Sequence, residues 1–503
     1  MPPLSSIVQS LPSSRRSLLA ASALALLVLN AGAAPTAAET LNEALLAAYQ
    51  TNPRLEAARA RLRATDESVP EAKAGFRPQA SATADAGVAQ SRNEGVVNQP
   101  GQTDGTARTA GYQINVRQSL FSGFRTVNGV RESEAGVRAG REELRAVEAQ
   151  ILLEAASAYA DVIRDQGLVR LRENAVDILT RELRAAEARR AAREITRTDV
   201  AQTQVRRARA VSALDLARSN VKTSRSIYER VIGRPPHNIS RPSYPAKLIP
   251  VTVDDAIKIA ERESPNVIFA LYREQAARHG VDRIWGELLP EVSIEASYGQ
   301  RFTNASQGSA RQDQAVVGGR VNIPLYEGGG TKARVRAAKH NHVSRIQEIE
   351  QARAEAQAQV VAAWSRLEAA RAQIATDNIQ IQAARTALEG VREEEKVGQR
   401  TLLDVLNAEQ ELVEAQITAL NTQREQIVAA YGLLASMGRL NASELSLAAS
   451  QYDPSVHYEE VRGKWFGVSI THADGRVELL EKLDNWGARD AYSANLSLRP
   501  AFR

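Results

Sequence analysis

A chain of 503 residues is long enough for two or three ordinary domains, yet Phe, Trp and Tyr make up only 5% of it, too few for thick aromatic cores. Its 64 basic and 59 acidic residues nearly cancel, and Arg alternates with Glu, as at Arg141-Glu142-Glu143 and Arg181-Glu182, so no basic stripe for nucleic acid is present. It contains no cysteine, which excludes disulfides, thiolate metal sites and lipid carried on a thiol.

Residues 1–38 read as an export signal. Arg15 and Arg16 precede an apolar run from Leu18 to Leu29, and small residues follow that offer cleavage after Ala33 or Ala38. The run is too short for a membrane-spanning helix. Ser14-Arg15-Arg16-Ser17-Leu18-Leu19 partly matches a twin-arginine signal, the less favoured export route.

From Leu41 onward the same order of elements occurs twice. A short helix (41–50, then 253–262) ends at Asn52 or Ser264, which can cap a second helix opening on Pro53 or Pro265. That helix reaches about Ala74 or Gly286. Two stretches of strand character follow. Val292, Ile294, Ala296, Tyr298 and Phe302 alternate with polar residues, as do Tyr112, Ile114 and Val116. Their partners at 79–90 and 315–323 are weaker, and the polar segments 91–106 and 304–314 read as loops. A proline-free run from about Phe124 to Glu194, repeated at 329–397, carries apolar or small residues in steps of 3 and 4, among them Leu144, Val147, Ile151, Ala155, Ala158 and Val162. As a helix, about 71 residues extend roughly 105 Å. Polar turns (195–198, 398–402) lead into helices that return to about Ile232 or Met437.

The two halves align at fixed offsets. Leu41–Pro78 matches Val253–Pro290 at 212, and from Val116 to Gly233 the offset is 205. The seven-residue change falls in the polar loop between the strands. The domain reading is therefore a first repeat 39–233, a linker 234–250, a second repeat 251–438 and a tail 439–503. The helix 53–74 and the returning helix together fall roughly 20 Å short of the long one. The linker, the short helices and part of the tail are expected to fill that gap as an equatorial belt. Trp465 to Leu479, with Asp474-Gly475 at its centre, predicts a hairpin.

Four strands of 10 to 12 residues suit a tilted bilayer crossing but cannot close a barrel, and lipid does not tolerate open edges. Copies must supply the rest: two give 8 strands, three give 12. Val292, Ile294, Tyr298, Tyr112 and Ile114 are the expected lipid-facing residues. Phe76, Phe121, Phe124 and Tyr326 at the strand ends suit an aromatic girdle. A soluble sheet capping a coiled-coil bundle is the competing architecture, and a non-pore periplasmic scaffold or adaptor the competing function.

Leu41…Asn52-Pro53, Arg77-Pro78, the run Ile323-Pro324-Leu325-Tyr326-Glu327-Gly328-Gly329 and the run from Val397-Gly398-Gln399-Arg400-Thr401 to Leu402-Leu403-Asp404-Val405-Leu406, in this order and within a duplicated frame, resemble the TolC family of outer-membrane channel-tunnels over roughly Glu39 to Leu440. The resemblance implies a mainly α fold with transmembrane β: a homotrimer with a 12-stranded β-barrel and a periplasmic coiled-coil α-barrel. The expected role is an exit duct for type I protein secretion or multidrug efflux, in the outer membrane of a Gram-negative cell. Its implied partners are outer-membrane lipid, a periplasmic adaptor and an inner-membrane ABC or RND pump. It implies that Asp404 forms a carboxylate ring at the periplasmic entrance. One turn later Asn407 stands where the family has an acid, so the ring should carry about half the charge. Arg400 matches the arginine tying the inner coil to its neighbour, Asp199 matches its carboxylate partner, and Glu395 replaces the usual aromatic. The turns holding Ile195, Thr196, Thr198, Val397, Gly398 and Thr401 are the expected adaptor-docking tips. Asp199 and Asp404 also sit where a helix N-cap carboxylate belongs, and the two roles are compatible.

Other signals are weak. Gly328-Gly329-Gly330-Thr331-Lys332 lacks the phosphate-loop spacer and reads as a strand-to-helix turn with Thr331 as cap. His340 and His342 fall on different sides of a helix, against a metal pair. No nucleophile motif is present. The expectation is a protein with no catalytic residues, cofactor or metal.

Overall fold

The computed structural model describes residues 38–91, 105–242, 244–305, 308–447, 451–471 and 477–478. The export signal expected at 1–38, Ala38 apart, lies outside them. The chain divides into two compact units. The first holds the described residues up to Leu62, Ala135–Val281 and Lys332–Tyr452, and the second holds Arg63–Glu134, Asp282–Thr331 and the described residues from Asp453 on.

Helix α1 (Leu41–Thr51) opens on a reciprocal cap in which Thr40 accepts from the Glu43 N–H and the Glu43 carboxylate accepts from the Thr40 N–H. It stops at Asn52, whose amide donates to the Val231 carbonyl while its oxygen accepts from the Arg54 N–H. That frees the chain to restart as α2 (Pro53–Asp66), with α3 (Ser68–Lys73) after it. In the second half Thr252 caps α6 (Val253–Glu263), its hydroxyl accepting from the Asp255 N–H and donating to the Asp255 carboxylate, and Ser264 precedes α7 (Pro265–Trp285). The long helices α4 (Arg125–Ala191) and α8 (Gly330–Lys396) have 67 residues each, roughly 100 Å at helical rise. The helices that follow them, α5 (Arg197–Ile232) and α9 (Leu402–Ser436), are about half as long.

The core of the first unit gathers where the short elements meet the long helices. Ile151, Leu152, Ala155 and Tyr159 of α4 pack with Leu45 of α1, Tyr228 and Ile232 of α5, and Leu433, Leu434 and Met437 of α9. Ile239, Leu248 and Ile249 of the linker cover this cluster, as do Leu440, Leu445 and Leu447 of the tail. Tyr159 is fully buried and its hydroxyl lies 2.8 Å from the Glu39 carbonyl and 2.7 Å from that of Ser240, tying the start of the repeat to the linker.

The second unit is built on a four-stranded antiparallel sheet in sequential order: β1 (Gln79–Ser91), β2 (Gly105–Ser122), β3 (Glu291–Ala305) and β4 (Gly308–Asn322). The strands are longer than the hydrophobic alternation predicts. The expected loop 304–314 is mostly strand, and β2 begins inside the expected loop 91–106. The ladder asks only that backbone groups find partners, and polar side chains pair across it, as where Gln300 donates to Asp313 at 2.6 Å. Gly123 ends β2 with a left-handed φ of +63° and opposes Gly286: a Cβ on either would lie 2.2 Å from the other's carbonyl oxygen. Only glycine fits this contact. Helix α10 (Pro454–Val461) packs on α2, where His457 Nδ1 is 3.0 Å from the buried Asp66 carboxylate. Beyond it β5 (Ile470–Thr471) pairs with β6 (Val477–Glu478), the strands of the expected tail hairpin, while Asp474-Gly475 lies outside the described residues.

Candidate functional site

The strand register sorts the sheet into two chemically opposite faces, because residues directly paired across an antiparallel ladder point the same way. Ile114 pairs with Tyr298, Val116 with Ala296, Tyr298 with Ala315, Ala296 with Val317, and Ala82 with Ile114. All five residues expected to face lipid, Tyr112, Ile114, Val292, Ile294 and Tyr298, therefore share one face. The Tyr112 and Tyr298 rings meet there at a tilt of 56°, their centroids 6.4 Å apart. Phe121 and Phe124 meet at 5.1 Å at the foot of β2, while Phe76 and Tyr326 are exposed.

The opposite face is polar and charged. Arg117 reaches Glu291 at 2.8 Å and Glu295 at 3.8 Å, Glu295 takes Arg320 at 2.9 Å, and Arg301 approaches Asp85 at 3.9 Å. Each ion pair spans two strands and is solvated, so it contributes little to stability. It does line the face with fixed charge. Among the described residues β1 and β4 each pair on one side only, leaving two open edges.

The second set of candidate residues lies at the two turns between long and returning helices. Both are built alike. Arg193 (φ +65°) and Gly398 (φ +77°) take the left-handed position, the Glu194 N–H bonds back to Arg189 and the Gln399 N–H to Glu394, and a threonine then starts the next helix. Thr196 Oγ1 accepts from the Asp199 N–H at 3.3 Å while Asp199 Oδ2 accepts from the Thr196 N–H at 2.9 Å. Thr401 and Asp404 do the same at 3.3 and 3.0 Å. The Thr196 hydroxyl and N–H hold the Asp199 pKa below its ordinary value, and the Thr401 N–H and hydroxyl, then Arg400, do so for Asp404. Both carboxylates thus serve as caps. Ile195 is half-buried, whereas Thr196, Thr198, Val397, Gly398 and Thr401 are exposed.

Arg400 pairs with Glu394 of its own coil at 2.9 Å, so within one chain it does not meet Asp199. The structure joins the coils by bringing Glu395 and Asn407 to arginines, Arg189 and Arg206, that sequence reasoning missed. Arg189 of α4 pairs with Glu395 of α8, and Arg206 of α5 donates to Asn407 at 2.5 Å and Gln410 at 2.8 Å. Arg392 reaches the buried Glu409 at 2.5 Å. One signal was available: at the repeat offset, Arg189-Arg190 stand opposite Glu394-Glu395. Thr331 is not the cap of α8; it lies inside the helix, its hydroxyl donating to Glu327. His342 pairs with Glu274 at 2.6 Å.

A family model described as "Outer membrane efflux protein" matches residues 44–234 and 256–439. The outer membrane efflux protein BepC of Brucella suis is 38% identical over 438 residues, 87% of this chain and 93% of that protein. The alkaline protease secretion protein AprF of Pseudomonas aeruginosa is 22% identical over 345 residues, 67% of this chain and 72% of its own. Among solved structures, the outer membrane protein VceC of Vibrio cholerae superposes with a TM-score of 0.66 at 20% identity, covering 79% of this chain and 96% of that one.

Proposed function

This chain belongs to the outer membrane efflux protein family, and on that premise we propose that three copies close a 12-stranded barrel in the outer membrane and form one continuous exit duct. The observation that carries this reading is the two-faced sheet with two open edges. Its apolar face suits lipid, its charged face suits a water-filled lumen, and its unpaired backbone groups cannot remain so in a bilayer. The internal repeat indicates how the edges close. The pairing of β2 with β3 joins one repeat to the next, and β4 with β1 of the following copy is the same junction made between chains. A head-to-tail contact of this kind closes into a ring.

In this duct the helical tips form the periplasmic entrance. Asp404 supplies one ring of carboxylates, and Asn407, held by Arg206, contributes none. Arg400 and Asp199 act at contacts between neighbouring coils, and the exposed tip residues Thr196, Thr198, Val397, Gly398 and Thr401, with Ile195, dock a periplasmic adaptor. An inner-membrane ABC or RND pump supplies energy and selects cargo, a drug-like molecule or a secreted protein. The duct itself catalyses nothing. The test is detergent extraction followed by planar-bilayer recording. The expected result is a trimer that falls apart only on heating and opens cation-preferring channels. A salt-extractable protein that leaves bilayers silent would instead be a scaffold.

A further inference from the structure

Some way back from the turns, the two helical hairpins of the first unit leave a cavity of about 420 Å³ between them, and all four helices line it. Its walls are apolar but incompletely closed. Leu171, Ile178 and Leu179 of α4 and Leu412 and Val413 of α9 remain half-buried there, whereas Leu388 of α8 and Leu406 of α9 are buried. The small side chains of Ala175, Ala210 and Ala213 leave the space open. An unfilled apolar lining forgoes the contacts that a bound molecule would restore.

The rim is cationic. Arg206 and Arg209, three residues apart on α5, share a face, and Arg172 of α4 joins them. Among the described residues neither Arg172 nor Arg209 has an ion-pair partner. Arg206 donates to the amide oxygens of Asn407 and Gln410, at 2.5 and 2.8 Å. Two acids also line the cavity. Glu409 is matched by Arg392 at 2.5 Å, and Glu414 accepts from Gln410 at 2.8 Å. Positive charge therefore stays in excess around an apolar hollow.

We propose that this cavity binds an amphipathic organic anion, its apolar body of drug-like size lying against Ile178, Leu179, Leu412 and Val413 and its carboxylate held by Arg172, Arg206 and Arg209. Charge complementarity identifies the occupant. A neutral apolar molecule leaves the arginines unused, and a cation is repelled by them. A carboxylate also competes for Arg206, because a charge-assisted hydrogen bond is stronger than one to an amide oxygen. Binding then loosens the tie between α5 and α9 and widens the entrance. That last step rests on reading the tips as the mouth of the duct; the binding itself does not.

The probe is naphthalene-2-carboxylate, with naphthalene-2-carboxamide as its neutral counterpart. Each is dialysed to equilibrium against the full-length protein in nonionic detergent, with detergent alone as the blank. The expected result is saturable binding of the carboxylate, about ten-fold tighter than that of the carboxamide. The double variant Arg172→Gln, Arg209→Gln, which breaks no ion pair, should erase that preference. Val413→Trp, which fills the hollow, should abolish binding of both. Equal affinity of the unaltered chain for the two probes overturns the anion site without recourse to any variant. Undiminished binding to Val413→Trp places the probe elsewhere and overturns it too. Absence of saturable binding leaves the hollow as mere slack between the coils. In planar bilayers the carboxylate, applied on the side of the tips, should raise single-channel conductance. Binding with unchanged conductance removes the link to the entrance, and silent bilayers remove the duct, while in both cases the site itself stands.

Discussion

Tyr159 shows how much rests on single side chains in the core of the first unit. Its hydroxyl serves two carbonyls in a site closed to water, so Tyr159→Phe leaves Glu39 and Ser240 without that donor. The expected loss is about 1–3 kcal/mol in chemical denaturation of the first unit. Burial pushes Tyr159 up to about 12, with the Glu39 charge adding to it; it does the same for Tyr431, and it raises Tyr228 as well. A pKa raised in the folded state gives stability that is complete below the unfolded value of 10.0 and is lost as pH climbs towards 12. Phenolate absorbance and loss of helicity should therefore rise together in that window; smooth ionisation at constant helicity would contradict it. At the tips, Arg206 ties the coils through Asn407 and Gln410. Arg206→Ser should raise single-channel conductance, and Asn407→Asp, by adding a second carboxylate ring, should raise cation selectivity. Unchanged currents in both would move the entrance elsewhere.

Elements differ in how openly their sequence announces them. The long helices were legible almost to the residue, expected at 124–194 and 329–397 and found at Arg125–Ala191 and Gly330–Lys396. Nothing inside them interrupts the 3–4 spacing, and glycine or a capping threonine marks their ends. The strands were legible only where hydrophobic residues alternate. Their outer ends are polar, as at Arg311 and Asp313, so composition read loop where the backbone continued its ladder. Tip cross-links such as Arg189 with Glu395 were missed because 206 residues separate the partners, and the repeat offset alone sets them opposite each other in the sequence. Glycine at the junction was invisible for a related reason: the close approach of Gly123 and Gly286 is a tertiary fact. It yields a graded prediction. Gly123→Ala and Gly286→Ala should each block assembly, because backbone meets the new Cβ at 2.2 Å. Gly328→Ala, with nothing within 4 Å and only its φ of +62° to oppose it, should assemble with modest loss. Equal trimer yields in outer-membrane fractions would refute the ranking.

At the scale of the whole molecule, the proposed duct requires one contact that a single chain cannot make, the seam between β4 of one copy and β1 of the next. The repeat specifies its register. Val116 of β2 pairs with Ala296 of β3, and at the offsets of 205 and 212 their equivalents are Val321 of β4 and Ala84 of β1. Both lie on the apolar face, as a continuous lipid-facing wall requires. The most direct measurement is oxidation of the double variant Ala84→Cys, Val321→Cys in intact outer membranes, in a chain with no other thiol. Head-to-tail closure of three copies predicts a disulfide ladder on denaturing gels that ends at a covalent trimer and collapses on reduction. A ladder ending at the dimer, one running past the trimer, or no linked product at all would contradict it.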